Sequence, residues 1–470
     1  MGAGTAQVGA ALRARALAHE PPGAGVSPFP DQPRLPRSLG GTGTRRATGS
    51  RQSLEHQEQP GRPAGVPAHS GPPQPPESRS AGVGRGGRRP KPVRILTFGM
   101  NALSSPQSTS TTPSVLPESA IPSKPSFSSD NTSAVWPEVL RALQEVNETP
   151  SAPSYGYCPW SVVLEEKARK VFGPQAEIYP VFTGTGANVL AISAVCQPWE
   201  GAVCTTCSHL NEDETGAPEA VAGVKLVALP HVDGKLQPEV VADWLAGHPQ
   251  DEHRVQPRVL SLTQSTEYGT VYTPEEVQAL ADLARKHDLL VHMDGARLSN
   301  AAVGLGLNLR EATLALGVDL LSLGGTKNGL MAGEAVVFLR EGLSTGFRYR
   351  RKQFMQLASK SRYLASQWLA FLQDDRWAQY AGMANDKAQR LAAGLDELPE
   401  VQLRCMPPAN AVFATFPQAV LKQLQEEFDF YEWDPRIHEA RLMCAWNTPE
   451  AWISHFLERG RQLLTPLQEG

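Results

Sequence analysis

Three short runs carry side chains able to do chemistry. After the apolar run EIYPVF stands Thr183-Gly184-Thr185-Gly186-Ala187-Asn188, which leads straight into a helical pattern. Glycines let backbone N–H groups approach a ligand, a helix N-terminus favours an anion, and Thr185 adds a hydroxyl, so Gly184, Thr185 and Gly186 form a candidate phosphate cradle. The run is neither a P-loop nor a GxGxxG, and alone it reads equally well as an ordinary strand-to-helix turn. After LLVHM comes Asp294-Gly295-Ala296-Arg297, and after DLLSL comes Gly324-Gly325-Thr326-Lys327-Asn328-Gly329. A lysine with little charge around it can form a Schiff base. An aspartate beside a pyridinium nitrogen keeps that nitrogen protonated, so the ring draws electrons from a substrate α-carbon. Taken singly, Asp294 reads as a helix cap and Lys327 as a solvated loop lysine. Cradle, carboxylate and lysine in this order at three strand ends describe a site for pyridoxal 5′-phosphate.

Those positions matter because in open α/β sheets ligands bind beyond the carboxyl ends of the strands. From Trp136 onward, apolar residues recur at helical spacing behind Pro137, and a second helix is expected over Trp160–Val171. Apolar runs of strand length then alternate with helical stretches: EIYPVFT with ANVLAISAVC, GAVCTT with PEAVAGV, RVLSLTQ with PEEVQALADLARKH, and LLVHMD with LREATLALG. Such alternation implies βα units and a largely parallel sheet, and near-continuous apolar strands suit burial on both faces. Beyond Phe347 the pattern lapses into expected helices over Lys352–Phe371 and Gln379–Leu398, then strand-like AVFATF, a helix near Leu421–Glu427, and RLMCAW. The expected organisation is a tail over 1–124, a large α/β domain over 125–345 and a smaller α+β domain over 346–470. No internal repeat stands out.

Composition divides the chain of 470 residues unevenly. Residues 1–99 contain 32 Pro or Gly and carry 14 Lys+Arg against 5 Asp+Glu, whereas the other 371 carry 30 against 43. A Pro/Gly-rich segment with few large apolar residues cannot offset about 1–2 kcal/mol per residue of backbone ordering, so disorder is expected there. Its arginines could bind nucleic acid or an anionic surface, or serve as an organelle presequence. Without interleaved aromatics or a sustained apolar face, the segment reads instead as a solvated tail, or as an over-long start with initiation near Met100. No apolar run is long enough to span a bilayer and no secretory signal is visible, so no membrane or nucleic-acid partner is expected. The six cysteines form no disulfide framework, which favours a reducing, cytoplasmic setting. Cys204 and Cys207 form a CxxC without a second pair or a His pair at zinc spacing, so they read as small strand-end residues, and no metal is expected.

From about Phe127 to Leu464 the chain closely resembles the low-specificity L-threonine aldolases of the type I aminotransferase-like fold. SSDNTSAVWPEVL, FTGTGANVLA, SHLNEDETGAPE, QSTEYGTVYTPEE, HMDGARLSNA, LSLGGTKNGL, YRRKQFMQLASKSRY and RLMCAWNT carry the likeness. The resemblance implies cleavage of threonine, allo-threonine and related β-hydroxy-α-amino acids to glycine and an aldehyde, in a homodimer or homotetramer with shared sites. It implies that Lys327 attaches the cofactor, Asp294 pairs with its ring nitrogen, and His209 stacks on the ring near the substrate hydroxyl. Gly184, Thr185 and Gly186 would hold the phosphate, with Arg350 or a nearby basic residue from a neighbouring subunit. Ser129, Arg297 and Arg441 would bind the substrate carboxylate, Arg297 touching the cofactor as well, and Tyr155 would reach a site across a subunit interface. Two departures stand out: Tyr157 and Cys158 replace the usual acid pair, and Glu267 takes the place of a second histidine. Glu267 is thus a candidate base or an orienting group for His209, and equally a strand-end ion-pair acid. A β-eliminating lyase of the same fold, or a non-catalytic domain tethered by the basic tail, are the alternatives. Every candidate residue lies beyond 124, so deleting residues 1–99 is expected to leave turnover within about twofold of the full chain, measured side by side.

Overall fold

The computed structural model describes residues 124–468, and the expectations placed on the segment before them lie outside the described residues. Seven strands form one sheet: β1 Glu177–Val181, β2 Glu200–Thr205, β3 Lys225–Leu229, β4 Gln256–Thr263, β5 Leu290–Gly295, β6 Leu320–Leu323 and β7 Glu334–Phe338. Their order is β1-β7-β6-β5-β4-β2-β3. The pairs β2–β3, β2–β4, β4–β5 and β5–β6 are parallel, whereas β7 is antiparallel to both β6 and β1. Six strands therefore run one way and β7 alone runs back. Successive side chains alternate faces. Leu260, Val291 and Leu321 enter one apolar core, while their neighbours Val259, Leu290 and Leu320 enter another on the opposite face. This two-sided burial is why the strands read as unbroken apolar runs.

A second sheet is wholly antiparallel: β8 Gln402–Leu403, β9 Ala411–Thr415, β10 Tyr431–Asp434 and β11 Glu439–Met443, in the order β10-β11-β9-β8. Its core joins Val412, Leu442 and Phe456 to Phe127, whose ring meets Phe428 and Phe456 at 6.4 and 5.5 Å. Phe127 O also accepts from Met443 N–H (2.8 Å). The first described residues thus pack with the second sheet before the chain crosses to the first.

Two expected helices differ. The stretch Lys352–Phe371 is split into Phe347–Gln353 and Ser361–Leu372. Between them Met355 takes a left-handed backbone (φ 62°), Gln356 Oε1 accepts from Phe182 N–H beyond β1 (3.0 Å), and Ser359 O accepts from Tyr155 N–H (3.0 Å). Tertiary partners have taken backbone and side chain out of the helical ladder. The helix after β5 is Leu298–Leu305, not LREATLALG, which forms turns and a short 3-10 segment, Leu314–Leu316. There Asn308 and Glu311 exchange side-chain bonds with each other's N–H groups (2.9 Å each), a local alternative to the helix.

Trp136 fastens the helix Pro137–Glu148 to the turn that follows β6. Its backbone N–H donates to Gly329 O (2.9 Å), and its ring stacks with Tyr380 and Phe371 at 4.1 and 5.4 Å. Gly329 sits at φ 92°, and a Cβ there would stand 1.9 Å from Trp136 Nε1. Gly329→Ala therefore combines backbone strain with a clash against a fixed ring. It is expected to destabilise the fold by about 3 kcal/mol or more, measured by urea unfolding.

Candidate active site

The strands of the first sheet deliver their last residues to one end. Beyond β1, Thr183 caps the helix Gly184–Val195, its Oγ1 accepting from Gly186 N–H (3.1 Å). A Cβ on Gly184 would meet nothing within 4 Å, so the first turn opens onto free space, whereas one on Gly186 would strike the Gln356 side chain at 2.6 Å. A cavity of about 300 Å³ lies here, lined by Gly184, Thr185, Asn188, His209, Asp294, Lys327 and Glu334 among others. Because β7 runs backwards, its first residue, Glu334, reaches the same sheet end as the last residues of its neighbours.

Asp294 is only 5% exposed. Ala296 N–H donates to its Oδ1 (3.0 Å) and Asn188 Nδ2 to its Oδ2 (2.7 Å), the donors a buried carboxylate requires. Lys327 follows β6 in the 3-10 turn Thr326–Asn328, held by Glu334, which accepts from Gly325 N–H (2.6 Å) and Thr326 N–H (3.4 Å). The Arg297 charge, and then burial, hold the Lys327 amine below its ordinary pKa against the opposing charges of Asp130, Asp294 and Glu334. A larger share of free amine is the form that attacks an aldehyde.

His209 opens the short helix His209–Glu212 after β2. Its Nδ1 is bonded to Glu214 Oε1 (2.9 Å), and its backbone N–H donates to Glu267 Oε1 (2.9 Å). Burial pulls the imidazole down, but the hydrogen bond to Glu214 and the charges of Asp294 and Glu214 outweigh it and hold His209 above its usual pKa. Glu267 also accepts from Thr263 Oγ1 (2.8 Å) while its Oε2 is buried without a partner, and burial pushes this carboxyl up to about 7. A group poised there can take or give a proton at neutral pH.

The other candidates are placed differently. Arg297 turns its fork onto Asp130, Nε at 2.8 Å from Oδ2 and Nη2 at 2.9 Å from Oδ1. Burial pushes Asp130 up, but the charge and hydrogen bonds of Arg297 prevail and hold it below the ordinary carboxylate range. Ser129 caps the turn Asp130–Thr132, its hydroxyl accepting from Asn131 N–H (3.1 Å). Arg441 lies over the rings of Trp433 (4.5 Å) and Tyr431 (5.1 Å), donates Nη2 to Ser128 O (3.2 Å), and leaves its Nε buried without a partner. Burial, then the nearby Arg297 charge, lower it to about 10.

Arg350, on the helix Phe347–Gln353, is not among the cavity's lining residues. Tyr155 is not either: it lines a separate cavity of about 350 Å³ with Tyr157 and Arg351. The cysteines of the CxxC are held protonated, burial pushing Cys204 up to about 11 and Cys207 to about 12. No group of three or more metal-binding side chains occurs among the described residues. Asn188, Asp130, Glu214 and Glu334 carry no role in the sequence pattern: Asn188 and Asp130 act through partners distant in the chain, Glu214 lies in a loop, and Glu334 begins a strand where the other site residues follow one.

A mainly parallel sheet that gathers a lysine, a buried carboxylate, an imidazole and an open helix start at one end defines an enzyme of the type I aminotransferase-like fold. Residues 126–417 match the family model described as Beta-eliminating lyase, and the chain belongs to that family. It is 40% identical to a low specificity L-threonine aldolase of Pseudomonas aeruginosa over 341 residues, 72% of this chain and 95% of the other. Among solved structures, a threonine aldolase from Leishmania major is 28% identical, with a TM-score of 0.68 over 72% of this chain and 99% of that one. A cystine C–S lyase at 17% identity shares the fold, with a TM-score of 0.53 over 72% of this chain and 97% of that one.

The residues present fit pyridoxal phosphate. The open Gly184 turn suits a phosphate, the buried carboxylate of Asp294 a ring N–H, and the depressed Lys327 amine an aldehyde. The Asp130–Arg297 pair braces this arrangement from the second sheet's side, since Asn410 Nδ2 also donates to Asp130 Oδ2 (3.2 Å). Removing one partner of a buried pair leaves an uncompensated charge. Asp130→Ala is therefore expected to cost about 3 kcal/mol of stability by urea unfolding, with the Lys327 amine moving to a still lower pKa.

Proposed function

We propose that this protein is a pyridoxal-phosphate-dependent aldolase that cleaves threonine, allo-threonine and related β-hydroxy-α-amino acids to glycine and an aldehyde. The observation that carries this reading is the gathering of Lys327, Asp294 and His209 on one cavity in a chain 40% identical to a low specificity L-threonine aldolase. Gly184, Thr185 and Gly186 would hold the cofactor's phosphate, Asp294 its ring nitrogen and Lys327 its aldehyde carbon. Bound there, the cofactor supplies an electron sink for the substrate α-carbon.

The chain's own residues do the rest. Arg441, with Nε free, receives the substrate carboxylate, assisted by Ser129 and by Arg297 from its bond with Asp130. A planar fork fixes a carboxylate in two directions, which sets the Cα–Cβ bond in the orientation that favours its cleavage. His209, with Nδ1 engaged by Glu214, presents Nε2 to take the β-hydroxyl proton, and Glu267 serves as the second proton carrier through water. Tyr155 and Arg350, apart from the cavity in one chain, fit a homodimer or homotetramer whose sites are shared between subunits. Exposed Tyr157, Tyr349 and Met355 support such a contact face. No described helix is long and apolar enough to cross a membrane, and a cytoplasmic role in threonine breakdown and glycine formation is the setting we assign.

The family description favours one second reading, a β-elimination that releases ammonia and a keto acid. Incubating the cofactor-loaded protein with threonine and allo-threonine separates them: acetaldehyde and glycine in equal amounts are expected, and ammonia with a keto acid would establish elimination instead. Lys327→Ala is expected to lose the visible absorbance of attached cofactor and at least about 10³-fold in turnover.

A further inference from the structure

Glu214 enters the roles assigned above only as the group bonded to His209 Nδ1, yet it is among the most enclosed acids of the site, with a side chain 0% exposed against 36% for His209. One oxygen does all its bonding. Oε1 accepts from Asn188 Nδ2 (2.8 Å) and pairs with His209 Nδ1 (2.9 Å), while Oε2 is buried without a partner. The same Asn188 nitrogen donates to Asp294 Oδ2 (2.7 Å). A primary amide has two N–H groups, so one goes to each carboxylate and a single buried side chain joins two acids that would otherwise repel.

We infer that Glu214 is a positioning residue for His209, and that Asn188 ties it to Asp294, so that the imidazole and the carboxylate for the cofactor's ring nitrogen are fixed as one unit. This rests on the cofactor reading above. Glu214 fixes the hydrogen on Nδ1 and leaves Nε2 as the nitrogen that exchanges protons with substrate. Because Oε2 has no donor, the hydrogen bonds of Glu214 come only from His209 and Asn188, and burial outweighs them to hold this carboxyl above its ordinary pKa. The other groups facing His209 are Asp294, which favours its proton, Lys327, which opposes it, and Glu267, which takes its backbone N–H.

The test uses the full-length, cofactor-loaded protein and begins with wild type. If wild type shows no cofactor absorbance and no cleavage of threonine, the functional reading fails and not this one. With wild type active, Glu214→Gln keeps shape and removes charge. The titration of His209, followed by NMR of labelled histidine, is expected to move down by about one pH unit, with kcat falling about 10-fold or more and KM changing less than about threefold. Asn188→Ala keeps the His209–Glu214 pair and cuts the tie to Asp294. Its dissociation constant for pyridoxal phosphate, measured by fluorescence titration, is expected to rise about 10-fold, with a smaller move in His209. Nonadditive effects in the double variant would support the unit. A folded Glu214→Gln protein with the wild-type His209 titration and kcat would overturn the role of Glu214, and unchanged cofactor affinity in Asn188→Ala would overturn the tie.

Discussion

A carboxylate removed from water at the end of a buried strand is stable as an anion only where donors replace its hydration. Asp294 is in that position, and the surroundings of the site follow from it. Its donors are the N–H of Ala296, two residues on, and the side-chain amide of Asn188 on the helix after β1. Both are neutral. An arginine or lysine bonded directly to Asp294 would satisfy its charge and leave less of it for a cationic ring nitrogen. Arg297, only three residues further along, is turned away onto Asp130, which takes its Nε and Nη2. The cation nearest in sequence is thereby neutralised by another acid.

The same logic governs Lys327. An amine that must react as a nucleophile needs cations near it and burial around it, but not so much that it leaves the site without its attachment group. Arg297 supplies the first influence, and Asp130, Asp294 and Glu334 oppose it. Glu334 can take part because β7 is the one strand that runs backwards, which brings its first residue to the active end, where it accepts the N–H groups of the Lys327 turn. A reversal of one strand thus adds an acid at a place where parallel strands present only their carboxyl-terminal residues.

Much of this was legible in the sequence because the strands are apolar runs and the reactive residues follow them immediately: Thr183–Gly186, Asp294 and Lys327 needed only the rule about strand ends. What was not legible are contacts between remote positions. Asp130 and Arg297 are separated by 167 residues, and neither residue's type announces the other. Asn188 and Glu214 sit within runs read for other reasons, one inside an apolar helix and one in an acidic loop. The expected single helix over Lys352–Phe371 failed for a related cause: its residues have no helix breaker, and the break arises from bonds to Phe182 and Tyr155 elsewhere in the fold.

Two histidines show how far environment decides what one residue type can do. His292, in the middle of β5, is completely buried; its ring nitrogens meet Ser261 Oγ (2.9 Å) and Ser322 Oγ (3.0 Å), and burial lowers it to about 4 despite the charge of nearby Asp294. Hydroxyls can give or take a hydrogen bond, so they suit a neutral ring, and they bring no opposite charge to hold a proton on it. His209 also loses solvation, but it meets a carboxylate on one ring nitrogen and opens onto a cavity with the other side, so its proton is favoured and its ring is within reach of a ligand. A histidine with two hydroxyl partners in a closed strand is part of the core. A histidine with an acid behind it and space in front of it can carry a proton, and the distinction lies in Glu214, a residue whose type and position in an acidic loop gave no sign of the part it plays.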